Sequence, residues 1–369
     1  MTALTTTKPR CEKVFEQSIR SEYTRKIYLF QMKKFMRFVG VDSMEELLQG
    51  DLKNIQEKIE DYIFYLKPKL NPNSMGAQIS PILLFYAMND IVLNKIKIRK
   101  MFPAKVKTQG FNAYTRKDIR ALLENTNKKR TKCVILIFCS TGCRVGALVD
   151  LKMKDVLEVP NTECKCLRFY TGFTEEYYGF LTPEATRMLN EHLKERDDHG
   201  EKLQPDSPVI SKYQNYNKAD GIKVKPISIS DIYHIVNTIF VHLESRNQDI
   251  GGRYAIPLLH GFRKYFNKVL KMRDGCNLSI CEKLMGHSVT ISLDNHYLPM
   301  ERDELFVEFE RAIPELTIGE EERQLLRIKD LEKLRENEED KEKENKILKV
   351  EMEVLKLRIA RVENSTNVV

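Results

Sequence analysis

The decisive stretch lies late in the chain: Leu259-His260-Gly261-Phe262-Arg263, then Leu284-Met285-Gly286-His287, and Tyr297 ten residues further on. An upstream string, Thr141-Gly142-Cys143-Arg144-Val145-Gly146, adds a second arginine. Breaking a phosphodiester without a metal poses three problems: charge builds on the non-bridging oxygens, the nucleophile must be aligned, and the leaving oxygen needs a proton. Planar guanidinium groups answer the first with a fixed fork of hydrogen bonds to phosphate, and Arg144 and Arg263 are the candidates. His260 and Arg263 stand three apart, so on a helix they share a face and can address one phosphate. His260 is then a candidate proton-transfer or oxygen-contacting group. Gly286-His287 ends a helix at its C-cap, which presents the imidazole of His287 to a cleft. Tyr297 is one of fifteen tyrosines, and its place after the two histidines singles it out. Capturing the phosphate on a phenol splits one exchange into two steps and conserves the bond energy for rejoining, so no cofactor is expected.

Each string is weak alone. T-G-x-R also fits a surface arginine, H-x-x-R a helix-capping histidine, and G-H a histidine that merely suits the helix dipole. The order of the four carries the reading.

The chain has 61 Lys/Arg against 53 Asp/Glu, a formal charge of +8. From Gly319 onward the balance is 12 against 14, so the preceding body holds 49 against 39 and carries the positive charge. A basic body with a near-neutral tail suits a polyanion. The eight cysteines form no C-x-x-C pair, and Cys133, Cys139 and Cys143 sit in or beside an apolar stretch as small buried thiols. The opening residues show no secretory apolar region, and no apolar run approaches a membrane span, so a cytoplasmic protein is expected.

Outward from the motifs, the chain divides into four. Residues 11–103 read as a small helical domain: Tyr28, Met32, Phe35 and Met36 recur at helical spacing, a helix covers Ile55 to Leu66, and Asn71-Pro72-Asn73-Ser74 caps another. Residues 94–113 carry Lys95, Lys97, Arg99, Lys100, Lys105 and Lys107 with no acidic residue before Gln109, and Pro103 breaks the run. This reads as a basic interdomain linker that contacts DNA phosphates, the alternative being a merely solvated connector. Residues 114–318 form a larger domain: a helix from Thr115 to Glu124, an apolar helix over Cys133 to Cys139, a hairpin over Cys166 to Phe180 turning at Thr171-Gly172, a helix from Pro183 through Leu193, and helices again from Ser230. Residues 204–225 give no periodic signal. The fold class is mainly α with a small β-sheet. Residues 320–363 are a charged helix in which Asn345, Leu348, Met352, Leu355, Ile359 and Val362 form a heptad seam. That seam suits an oligomer contact, and equally a single helix packing on its own body.

The four motifs resemble the tyrosine recombinase (integrase) family in order and approximate spacing. Glu175-Glu176-Tyr177-Tyr178, Leu181-Thr182-Pro183-Glu184 and the segment from Ala312 to Ile318 look like archaeal integrases, which implies an archaeal or viral mobile element. Residues around Ser21 to Phe38 are similar to the family's core-binding domain, and the resemblance spans roughly residues 15–318. It implies a clamp on double-stranded DNA, a homo-oligomer of two to four chains on that DNA, and a transient 3′-phosphotyrosyl bond. Tyr297 would be the nucleophile, Arg144 and Arg263 would hold the scissile phosphate, His260 would assist proton transfer, and His287 would hydrogen-bond a phosphate oxygen. Two positions depart from the family. Its hairpin lysine is missing from Thr171-Gly172-Phe173-Thr174-Glu175, where only Lys165 lies nearby, and Ala147 replaces a common glutamate. A relaxing type IB topoisomerase and a non-catalytic DNA clamp are the alternatives.

Overall fold

Five helices in the first hundred residues place apolar positions on one shared core. The computed structural model describes residues 8–106, 112–212, 224–243, 245, 247, 254–287 and 301–366. It divides into two compact units, residues 1–108 and 109–369.

In the first unit, α1 (Arg10–Gln17) is followed by α2 (Glu22–Val39), which starts where the Ser21 hydroxyl accepts the Thr24 N–H and stops at Gly40, φ 81°. Asp51 caps α3 (Leu52–Leu66) in the same way, through Asn54. Asn71 caps a short 3-10 turn that leads into α4 (Met75–Met88). Phe15, Met32, Phe35, Ile59, Ile63 and Phe85 are fully enclosed between these helices, with Phe15 set edge-on to Phe85 at 5.7 Å.

The basic run differs from the linker expected. Residues Lys95–Lys100 form a fifth helix, α5, capped by the Asn94 side chain on the Lys97 N–H. Its anchor is Ile98, wholly buried in the unit's core, while Lys97 pairs with Glu60 at 2.7 Å. Burying an isoleucine is worth roughly 1.5–3 kcal/mol. That outweighs the few tenths of a kcal/mol that like charges four apart cost on a helix.

In the second unit, Thr115 and Asp118 form a capping box that opens α6 (Arg116–Glu124). Every residue of α7 (Lys129–Thr141) from Cys133 on is buried, because other elements pack all around it. A one-turn α8 (Val145–Val149) follows. Next comes an antiparallel sheet, β1 (Val156–Glu158), β2 (Lys165–Phe169) and β3 (Tyr177–Leu181), in the order β1-β2-β3. Its hairpin register pairs Lys165 with Leu181 and Phe169 with Tyr177. Thr182 caps α9 (Pro183–Asp198), which runs past Leu193 because its inner face still buries Arg196, paired with Glu201. Both α9 and β3 lie on α7, as does α11 (His260–Lys271). Around them stand α10 (Ile229–Phe240), α12 (Leu278–Leu284), α13 (Arg302–Glu310) and the single-turn α14 (Ile313–Leu316). Two bridges, Lys152 to Pro208 and Ser211 to Pro226, tie down described parts of the stretch without periodicity. Cys133, Cys139 and Cys143 are free and buried.

The last element, α15 (Glu320–Thr366), has 47 residues, about 70 Å at 1.5 Å per residue. Among its described side chains the docked ones are at its start: Glu320 pairs with Arg120 at 3.0 Å and Leu326 lies against the core. No helix among the described residues is long and apolar enough to cross a membrane.

Candidate active site

The first arginine leaves the core through a tight turn. Thr141, the last residue of α7, turns its hydroxyl onto the Ile137 carbonyl at 2.7 Å, and the same oxygen accepts the Cys143 N–H. Gly142 is left-handed, φ 57°, and a Cβ there would meet the Phe266 ring at 2.6 Å, so only glycine fits. Cys143 plugs the core and Arg144 emerges exposed as the N-cap of α8.

On α11 the motif divides inside from outside. His260, at the helix start, is exposed. Gly261 lies so close to Tyr114 that an added Cβ would approach it to 2.6 Å. Phe262 is enclosed, stacked on Phe138 at 6.0 Å between centroids. Arg263 is only 7% exposed. Burial lowers the His260 pKa, and the charges of Arg263, Lys264 and Arg144 push it the same way. The imidazole is therefore neutral at neutral pH and free to accept a proton.

The third turn gathers the pieces. After α12, Gly286 takes the left-handed conformation at φ 60°. The Gly286 N–H donates to the Lys283 carbonyl at 2.8 Å and the His287 N–H to the Glu282 carbonyl at 3.1 Å, the paired bonds of a Schellman cap. A Cβ on Gly286 would meet the Tyr177 ring at 2.6 Å. This cap turns two carbonyls outward, and the arginines take them. Arg263 Nη2 donates to Met285 O at 2.6 Å and Arg144 Nη1 to Gly286 O at 2.9 Å. The other Arg263 amino group, Nη1, donates to Gly142 O at 2.6 Å. Two guanidinium groups thus sit on adjacent peptide carbonyls, tied to the turn that carries the first of them. Among the described residues neither forms an ion pair with a carboxylate. Burial, with Arg144's charge beside it, lowers the Arg263 pKa from its very high ordinary value, yet a guanidinium stays charged. Two neighbouring cations, one of them buried and neither paired to a carboxylate among the described residues, make a site for an anion, although Asp150, Glu175 and Glu176 line the same cleft as Arg144. Each keeps N–H donors to spare.

His287 is held by Glu282, five residues earlier, whose Oε2 lies 2.5 Å from Nδ1. Glu282 also pairs with Lys271. Burial would raise its pKa, but the hydrogen bonds from Lys271 and His287 outweigh that and hold it low. Glu282 fixes the ring and leaves Nε2 for a ligand.

Arg144, Gly286 and His287 line a cleft of about 850 Å³. The hairpin turn supplies another wall through Tyr170 and Phe173, and α12 contributes Lys283. Lys165 is not there. It stands at the far end of β2, paired with Glu158, four residues from Phe169 or about 13 Å at 3.3 Å per residue. Ala147 is buried, and the support of Arg144 comes from the Gly286 carbonyl instead. Among the described residues no group of three or more His, Cys, Asp or Glu is arranged to hold a metal ion.

Of the five expected catalytic residues the structure brings together Arg144, Arg263 and His287, with His260 three positions from Arg263 on α11. Tyr297 lies outside the described residues, as does Lys107. Lys95, Lys97, Arg99, Lys100 and Lys105 are exposed on the first unit. The sequence reading missed Glu282 and Lys283, and it missed the three carbonyls that hold the arginines. Glu282 had a signal, a carboxylate on the last turn before a Gly-His cap. Carbonyls have none.

The phage integrase family profile matches residues 112–302, just over half of the chain. The tyrosine recombinase XerC of Staphylococcus epidermidis is 23% identical over 309 residues, which span 81% of this chain and 94% of that one. Transposase A of transposon Tn554 from Staphylococcus aureus is 18% identical over 228 residues, 60% of this chain and 58% of its own. Among solved structures, XerH recombinase bound to its difH substrate aligns with a TM-score of 0.52 at 16% identity, covering 80% of this chain and 82% of that chain. A lambda integrase dimer on a COC′ core site gives 0.51 at 15%, covering 79% and 77%. These likenesses in fold agree with the mainly helical chain and its small sheet. With the family profile, they settle the identification: the chain belongs to the phage integrase family, the tyrosine recombinases.

Proposed function

We propose that this chain is a site-specific DNA recombinase that cuts and rejoins strands through a transient 3′-phosphotyrosyl bond. The observation that carries the reading is the pair of guanidinium groups on the Met285 and Gly286 carbonyls, beside His287, with no carboxylate paired to either among the described residues. Arg144 and Arg263 hold the non-bridging oxygens of the scissile phosphate, and His287, carrying a proton on both ring nitrogens with Nδ1 on Glu282, donates from Nε2 to one of them. The Tyr297 oxygen attacks phosphorus while the bond to the 5′-oxygen breaks. The phenolic proton passes to neutral His260, and the 5′-oxygen takes a proton as it leaves. Attack by a 5′-hydroxyl of a partner strand reverses these transfers. The exposed cations from Lys95 to Lys105 bind duplex phosphates, with Lys107 continuing the run. Two to four copies assemble on paired sites, in the cytoplasm. The relatives named above are bacterial; kinship with archaeal integrases rests on the Glu175–Glu184 and Ala312–Ile318 stretches. The comparisons do not favour the topoisomerase or inert-clamp readings. The test is covalent trapping on nicked suicide substrates drawn from a random pool. A protein–DNA adduct is expected; tight, salt-sensitive binding without one would reduce the protein to a clamp.

The proton for the leaving oxygen needs a donor, and the hairpin turn offers no lysine. Lys283 lines the same cleft as Arg144 and His287, which supports it in that role. Lys283→Ala should slow cleavage of ordinary DNA on the order of 10²-fold, the usual worth of a positioned acid. It should slow cleavage far less on a 5′-phosphorothiolate, whose sulfur leaves without a proton. An equal loss on both substrates would remove Lys283 from this step.

Neutral His260 fixes a pH dependence. Its pKa is depressed, so the proton-accepting form persists below the ordinary value near 6.5. Cleavage should hold steady as pH drops to 6.5 and decline only below it. Lys264→Met removes one of the cations that depress His260, and the acid limb should move upward toward 6.5. An acid limb already at or above 6.5 in the wild type would contradict the assignment.

A further inference from the structure

The long helix α15 has a job that the cleft does not account for. Its first turns are docked through Glu320 and Leu326. Every described side chain from Lys329 onward is exposed, however, including Leu348, Met352 and Leu355 at 52%, 56% and 55%. The helix therefore does not fold back on its own body there, and a solvated helix gains nothing from such residues. They belong to a seam of alternating three and four: Asn345, Leu348, Met352, Leu355, Ile359 and Val362. Upstream the seam stops, because Glu338 and Lys341 occupy its next two positions.

We infer that residues 344–363 form a parallel, in-register, two-stranded coiled coil with a second copy of this chain. Three features select that occupant. First, with Asn345, Met352 and Ile359 at positions a of the heptad, positions d are Leu348, Leu355 and Val362, and leucine at two d positions, isoleucine at one a position and a single asparagine at another suit two strands. Second, a lone asparagine at a is satisfied by its own copy across a parallel pair. In an antiparallel pair with the same overlap, Asn345 would face Val362 and its amide would be buried unpaired. Third, the flanking charges match. In a parallel pair each g residue reaches the e residue five further along the partner, and here Glu344 meets Lys349, Glu351 meets Lys356, and Arg358 meets Glu363. All three are opposite pairs.

The opposite stripe, Ile347, Val350, Val354 and Leu357, is shorter, and Lys343 and Arg361 stand at the next positions of its repeat. The longer seam spans about two and a half heptads, so the contact is weak alone. It gains strength once two chains are held close, since linked contacts act at high effective concentration.

The test measures self-association of the full chain without DNA by sedimentation, so that it stands apart from whether the chain cleaves DNA. The wild type should dimerise reversibly, and truncation after Ile318 should leave monomers. Leu348→Lys with Leu355→Lys should do the same, whereas Ile347→Lys with Val350→Lys should leave the dimer intact. Glu344→Lys with Glu351→Lys should weaken dimerisation about tenfold, and adding Lys349→Glu with Lys356→Glu should restore it. Asn345→Cys should give a disulfide-linked dimer under mild oxidation, because the parallel register sets the two side chains face to face. A monomeric wild type at the highest concentration reached, a dimer insensitive to the truncation, or the reverse pattern between the two stripes would overturn the inference. So would failure of Asn345→Cys to cross-link.

Discussion

Tyr297→Phe is expected to form no covalent adduct while binding the same DNA with wild-type affinity and salt dependence. The substitution deletes one oxygen, and in the proposed chemistry that oxygen is the atom bonded to phosphorus. The ring remains, and so do the guanidinium groups and basic helix proposed to hold phosphate, so binding has no reason to change. No other residue inherits the role by degrees: a phenyl ring cannot be phosphorylated, and the loss should run to the detection limit. The measurement is suicide-substrate trapping beside a salt titration of binding. An adduct formed by the variant at a substantial fraction of the wild-type yield would take the nucleophile away from Tyr297.

Arg263→Ala should cost cleavage on the order of 10²-fold or more, the scale on which a single transition-state donor is valued. Arg144→Ala should cost a similar factor, and the pair differ in what else they disturb. Arg263 is buried and satisfies the carbonyls of Gly142 and Met285. Removing it leaves both unpaired, at roughly 1–3 kcal/mol each. Arg144 is exposed and holds one carbonyl. Thermal melting should therefore fall clearly for Arg263→Ala and little for Arg144→Ala, while both lose the chemistry. Arg263→Lys keeps a positive charge and loses the planar fork, and its rate should stay well below wild type. Near-normal cleavage by Arg144→Ala, or by Arg263→Lys in a folded protein, would contradict a two-arginine phosphate site.

Much of this site was legible because its parts are side chains at fixed steps. The three-residue step from His260 to Arg263 put both on one helix, and Gly286 before His287 announced a left-handed cap. The helical domain was legible through its periodic apolar positions, Met32 and Phe35 among them. What escaped notice lacks such a signature. Strand β1 is three residues long, too short for alternation to show. Helix α5 hid its single anchor, Ile98, inside a run of lysines and arginines. Lys165 looked close to the hairpin turn in sequence, and only the pairing register places it at the far end of the strand. The missing hairpin lysine was legible as a gap, but Lys283 could not be found from it, because it enters the cleft from a different helix.

Because the arginines are oriented by peptide carbonyls, their alignment is largely insulated from mutation at the positions that supply it. A side chain that orients an arginine can be exchanged and its help lost; the Met285 carbonyl survives any replacement of methionine that keeps the cap. The vulnerable points contract to Gly142 and Gly286, where any added carbon collides with Phe266 or Tyr177. Libraries built to retarget this protein to new DNA sites can vary the cleft's walls outside Arg144, Lys283 and His287, provided those two positions stay glycine.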